Sequence, residues 1–172
     1  MNALISHCLS LVRPQFVLDL QHGIHGVPHW SRVWRNAREL CEAEGVPTKV
    51  PCVFSFLHDS MRADDGVDRM HGPRAVAWIE RLYVKRQLPL GMNDFHLLCV
   101  AINGHSDGET DADPIVQVCW DSDRLDLGRV GIRPDPRYLC TAHAKKPDTI
   151  LRALNRSMSL PQTNTLLPAW ME

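Results

Sequence analysis

The sequence has no run of five basic residues; its densest basic groups are pairs such as Lys145-Lys146. With 19 Lys and Arg against 20 Asp and Glu, the formal net charge is −1. That argues against general nucleic-acid binding, which rests on clustered cations neutralising phosphates. Long apolar runs are missing as well. The longest uncharged stretch near the start, Met1 to Val12, is too short to span a bilayer, contains His7 and lacks a basic leading segment. Neither a membrane span nor a signal peptide is expected from it. The six cysteines have no C-x-x-C spacing, and five lie beside apolar neighbours. They read as small buried hydrophobes in a reduced, cytoplasmic protein. No repeat, low-complexity tract or linker divides the chain, and strand signals are nearly absent.

What is present is an ordinary globular balance, 44% hydrophobic and 23% charged, which excludes disorder by composition. A chain of 172 residues is long enough to bury roughly 70% of its unfolded surface as one domain. Apolar residues recur at three- and four-residue spacing, predicting an all-α single domain over 1–172, with a core at about 20–158 and a C-terminal extension at 159–172. Trp30, Val33, Trp34, Ala37, Leu40 and Cys41 form one helical stripe, stopped by Gly45 and Pro47. Val50, Val53, Phe54 and Leu57 form a second. Further helices are predicted from Pro73 through Tyr83, from an Asn93 N-cap to Gly104, after Pro114, and from Asp148 to Met158. Leu166, Leu167 and Trp170 in the extension would pack on something, and a homo-oligomer is one arrangement that covers them.

The chain also carries nine histidines, and several stand where the pattern calls for an apolar residue. Asp123 is the sharpest anomaly of this kind. It follows Cys119 and Trp120 by four and three residues and precedes Leu127 by four, which sets a carboxylate in an apolar stripe. A buried carboxylate must be paired or must coordinate a metal; Arg32 and Arg129 are the arginines that would pair it. Asp121 keeps company with Gln117 and Arg124 on a wetter face. His58 and Asp59 end the apolar helix Val50–Leu57. His29 lies four residues before Val33 and points its ring toward the core. His22, His25 and His29 have the spacing of one helix face and would suit a three-histidine zinc site, but Gly23, Gly26 and Pro28 predict a loop. His71 opens one predicted helix and His105 ends another. His7, His96 and His143 read as incidental.

In order, His29, His58-Asp59 and Asp123 match the H…HD…D signature of the HD-domain superfamily of metal-dependent phosphohydrolases. His29-Trp-Ser-Arg-Val33 resembles the family's first histidine helix. Phe56-Leu57-His58-Asp59 resembles its apolar-HD step, and Asp121-Ser-Asp123-Arg-Leu125-Asp126 its last helix. The resemblance covers about residues 20 to 130. Small uncharacterised bacterial HD proteins also share segments like Gly104-His105-Ser-Asp-Gly108 and Arg124-Leu-Asp-Leu-Gly-Arg-Val-Gly-Ile-Arg133.

The resemblance implies an HD-type helical bundle with His29, His58, Asp59 and Asp123 as ligands of a divalent transition metal. Two histidines and two carboxylates suit Mn, Fe, Co, Ni or Zn. Such an ion lowers the pKa of bound water toward roughly 7. The implied reaction is hydrolysis of a phosphomonoester or phosphodiester of a nucleotide or other small phosphorylated metabolite. Asp59, Arg62, His71 and His105 are the residues expected to serve catalysis. Arg62 would neutralise the incoming phosphate. His71 and His105 occupy the interval where two-metal members add histidines. His71 follows Asp59 by only twelve residues, so one ion is expected, with His71 donating a proton to the leaving group. Arg129 and Arg133 read as surface ion pairs. The Gly-Tyr-Pro element of cyclic-dinucleotide phosphodiesterases is absent, as is the basic segment of alarmone hydrolases. Two alternatives remain open: a mixed-valent di-iron oxygenase, and a non-catalytic nucleotide-binding regulatory module.

Overall fold

Apolar spacing and caps set the helices of this chain. The structure is a computed structural model that describes residues 1–158. It contains α1 (Asn2–Val12), α2 (Val27–Glu44), α3 (Lys49–Leu57), α4 (His71–Val84), α5 (Met92–Gly104), α6 (Pro114–Arg124) and α7 (Pro147–Met158). Short 3₁₀ turns at Leu127–Val130 and Pro136–Tyr138 lie between α6 and α7. Among the described residues there is no strand, and the fold is all-α as the spacing predicted. The extension 159–172, with Leu166, Leu167 and Trp170, lies outside the described residues.

Local chemistry explains most boundaries. α2 ends at Gly45, which takes a left-handed φ of 68°. Asp113 caps α6 by accepting the Ile115 N–H at 2.8 Å, with Pro114 in the first turn. α5 departs from expectation, because its cap is Gly91 and not Asn93. Gly91 has the extended backbone a cap requires, and Asn93 falls inside the first turn, exposed to solvent.

α3 is the centre of the molecule. The sequence pattern showed one stripe, yet every residue from Val50 to Leu57 is buried. α1, α2, α5 and α6 all pack against this helix, so it needs no polar face. Within that buried run Ser55 donates to the Pro51 carbonyl at 2.7 Å. Fully burying Phe54 or Leu57 contributes roughly 1.5–3 kcal/mol each. Ile5, Cys8, Leu9 and Val12 of α1 join this core as well, although the expected core began near residue 20. α1 carries no charge to contrast with its apolar face, which hides its helical spacing. A smaller cluster of Leu40, Val118, Leu125, Leu139 and Ile150 seats α7 over α2 and the first 3₁₀ turn.

All six cysteines are free, and four of them are buried. Burial pushes the Cys41 thiol up to about 11 and the Cys52 thiol to about 12, so these are inert apolar groups. Among the described residues no helix is long and apolar enough to cross a membrane.

Candidate metal centre

His29 sits in the first turn of α2, His58 and Asp59 directly follow α3, and Asp123 lies in the last turn of α6. Because α3 packs against both α2 and α6, these ends meet. His29 Nε2 lies 3.1 Å from His58 Nε2 and 3.3 Å from Asp123 Oδ1. Asp59 Oδ2 lies 3.5 Å from His29 Nε2 and 3.4 Å from His58 Nε2. Both histidines are wholly buried and Asp59 nearly so. The four residues singled out by order and spacing therefore converge.

Two further histidines join them. His71 Nε2 is 2.7 Å from His105 Nε2, and the two nitrogens lie 3.4 and 3.6 Å from Asp59 Oδ1. The two oxygens of Asp59 thus face different histidine pairs. A ligand atom from each of Asp59, His71 and His105 falls within 4.8 Å of the others, as it does for His29, His58 and Asp59. The same holds for His58, His105 and Asp123. The twelve-residue spacing that counted against His71 is overcome by a close crossing of α4 on α5. A Cβ on Gly72 would lie 2.8 Å from the Ile102 carbonyl oxygen, so only glycine lets the start of α4 rest on the end of α5.

The outer nitrogens fix what the inner ones offer. His29 Nδ1 donates to Asp126 Oδ2 at 2.7 Å, His58 Nδ1 to the Phe54 carbonyl at 3.1 Å, and His105 Nδ1 to the Ile102 carbonyl at 2.7 Å. His71 Nδ1 donates to the Asp68 carbonyl. Each neutral ring then turns an Nε2 lone pair inward. Lone pairs facing each other at such distances repel unless a cation lies among them. Asp123 Oδ1 is moreover buried with no hydrogen-bond donor among the described residues, which is costly in a native interior. The donor set fits a divalent cation.

Electrostatics point the same way. Burial, and behind it the Arg129 charge, disfavour the His29 imidazolium, yet Asp123, Asp126 and Asp59 outweigh them and raise its pKa to about 9. Burial would raise Asp59, but His58 and the hydrogen bonds of His105 and His29 hold it well below the usual carboxylate range. Asp123 is lowered too: burial opposes, and His29, His58 and Arg129 prevail. Without an ion, a proton on His29 serves as the cation these carboxylates demand.

Around these side chains, several residues depart from expectation. Arg32 pairs with Asp126 through two bonds of 2.7 and 3.1 Å, not with Asp123. Arg129, expected at the surface, reaches 3.9 Å from Asp123 Oδ1 and is held by the Ile24 and Asp126 carbonyls. Arg62 Nε donates to Asp59 Oδ1 at 3.2 Å, while Arg133 is exposed. Asp121 is on no wet face. It is completely buried and accepts the N–H groups of Cys140 and Thr141, each at 2.7 Å, plus the Thr141 hydroxyl. The segment that folds over α6 there left no periodic signal. Asp126, which orients His29, was not among the expected site residues; its spacing of three from Asp123 was the one available signal.

The three-histidine arrangement does not form. His22 is exposed beside Asp19, and His25 turns Nδ1 to Asp65 at 2.8 Å with its ring centroid 6.3 Å from that of His29. His7 bonds the Gln87 carbonyl, His143 lies near Glu39, and His96 is exposed.

No protein-family model matches the chain, and no curated protein matches it. A crystal structure of a predicted HD superfamily hydrolase from an uncultured Thermotogales bacterium does, at 22% identity and a TM-score of 0.67. The match covers 87% of this chain and 84% of that one. At that identity the likeness is one of fold, and the helical architecture assembled above is an HD-domain fold.

Proposed function

We propose that this chain is a metal-dependent phosphohydrolase acting on a phosphomonoester or phosphodiester of a nucleotide or other small phosphorylated metabolite. The observation that carries this reading is the convergence of four Nε2 lone pairs on Asp59 and Asp123, with Asp123 Oδ1 accepting no hydrogen bond among the described residues. His29, His58, Asp59 and Asp123 would hold one divalent ion, and His71 and His105 would complete a second position on the other oxygen of Asp59. A bound divalent ion polarises a phosphoryl oxygen and acidifies water toward a pKa of about 7.

The protein's own residues do the rest. Asp126 and the Phe54 carbonyl hold His29 and His58 in the tautomer that leaves Nε2 free. Arg62 and Arg129, each beside a ligand carboxylate, place guanidinium forks where a phosphate dianion gains charge-assisted bonds. Phe54, wholly buried, stacks on the His58 ring with centroids 4.9 Å apart, an apolar surface beside the site that strengthens charged contacts there.

Metal analysis of protein purified without added metal, then a phosphoester and nucleotide screen with the ion found, tests this reading. Hydrolysis abolished in Asp123→Ala supports it; a chain without metal and inert on every ester sinks it. The shared carboxylate between two histidine pairs is what favours a second reading, a di-iron oxygenase. Aerobically retained iron at two per chain, with substrate-dependent oxidation and no ester hydrolysis, would establish that one instead.

A further inference from the structure

We propose that Ser157, in the last turn of α7, is a positioning residue for the metal centre that acts through Asp126 on His29. This rests on the reading of His29 as a ligand. Asp126 is buried at the end of α6 and receives four hydrogen bonds. Arg32 Nε and Ser157 Oγ reach its Oδ1 at 2.7 and 2.8 Å, and His29 Nδ1 and Arg32 Nη2 reach its Oδ2 at 2.7 and 3.1 Å. An ionised carboxylate offers about four lone-pair directions, so these donors fill it. Three come from α2 and only one, Ser157, from elsewhere in the fold.

A hydroxyl has one hydrogen, and Ser157 Oγ is also 3.0 Å from the Ala153 carbonyl. The bond to Asp126 is shorter and its acceptor is charged, and charge-assisted bonds are about twice as strong as neutral ones. The hydrogen therefore goes to Asp126. Packing enforces the same contact from a second direction. A Cβ on Gly128 would lie 2.8 Å from both Leu154 Cδ1 and Ser157 Cβ. The last turn of α7 is thus seated directly on the 3₁₀ turn Leu127–Val130, which follows Asp126 and carries Arg129.

The consequence is that α7, which supplies no ligand, sets the direction in which His29 presents its Nε2. Partners of this kind tune metal sites, and losing one that contacts a ligand costs about 10- to 100-fold in affinity. Ser157 is one bond further out, so its loss should cost less than that, about fivefold.

The test uses the full chain with Zn²⁺ as the probe, its affinity read by competition with a chelating dye. The metal-free protein gives the ¹⁵N resonances of the His29 ring. Ser157→Ala is expected to weaken Zn²⁺ about fivefold and move the His29 Nδ1 resonance, with Tm shifted by only a few degrees. Ser157→Thr, which keeps the hydroxyl, should restore both; Ser157→Cys, a weak donor of similar size, replaces the alanine variant if that one fails to fold. Affinity within twofold of wild type and an unmoved resonance in Ser157→Ala would overturn the proposal, provided Asp126→Asn loses affinity. Wild-type protein that binds no Zn²⁺ would instead overturn the metal reading. The His29 resonance alone then judges Ser157, and an unmoved one overturns its positioning role too.

Discussion

His71 and His105 bring their Nε2 atoms within 2.7 Å of each other across 34 residues of sequence, and Asp59 Oδ1 is the carboxylate oxygen beside them. Neither inner nitrogen carries a proton in the tautomers fixed by the Asp68 and Ile102 carbonyls. A cation between them would relieve the repulsion of these facing lone pairs, and that gives the first expected outcome. His71→Ala should lower the metal-to-protein ratio from two to one by elemental analysis, whereas Asp59→Ala should remove both ions. A wild-type ratio of one would return His71 and His105 to proton handling.

Asp121 and Asp123 sit two residues apart and should fail in opposite ways. Asp121→Ala strands the N–H groups of buried Thr141 and half-buried Cys140, at a cost of about 3 kcal/mol. Its urea midpoint should drop while the metal still binds. Asp123→Ala should lose the metal and leave the metal-free Tm within a few degrees. Chelator titration beside urea unfolding separates the two; the reverse pattern would refute the assignment.

His29 makes the metal-free protein pH-sensitive. Its folded pKa of about 9 exceeds the usual value of 6.5, so its proton stabilises the fold fully below pH 6.5. That contribution fades as pH climbs through 9. Metal competes with this proton, so ion affinity should run the other way and rise over the same interval. Thermal unfolding of chelated protein at pH 6, 7.5 and 9, with metal titrations at each, checks both slopes. A metal-free Tm that climbs from pH 6.5 to 9 would contradict the pairing.

Arg129 should matter to binding more than to turnover. Once a phosphoester substrate is in hand, Arg129→Ala is expected to raise KM about tenfold, the lower end for a lost charge-assisted bond. Steady-state kinetics decide it, and an unchanged KM would make Arg129 a structural strut between Ile24 and Asp126.

Much of this was legible in the chain. Local rules placed α2, α3 and α6, because their apolar spacing is strong and Gly45 and Pro114 punctuate them. His29, His58 and Asp123 stood out as polar residues in apolar registers. Hidden were facts that depend on remote segments. Nothing near Asp121 announces that residues 139–141 fold over it, and nothing near Arg129 says that Ile24 holds it. Distance along the chain does not reveal how close His71 comes to Asp59, because the Gly72 crossing exists only once α4 meets α5. α1 went unseen because it lacks the charged face that makes helical spacing stand out.

The ends of α2, α3, α4, α5 and α6 all deliver a side chain to one point, while the six thiols form no bridge. An ion held there would be the molecule's cross-link. It ties segments that closeness in sequence does not hold together, much as a disulfide would in an oxidising compartment. Chelation should therefore do more than switch chemistry off. It should let the ends of those five helices separate independently, and amides near Phe54, Ile102 and Cys119 should exchange with solvent faster while the helices themselves persist.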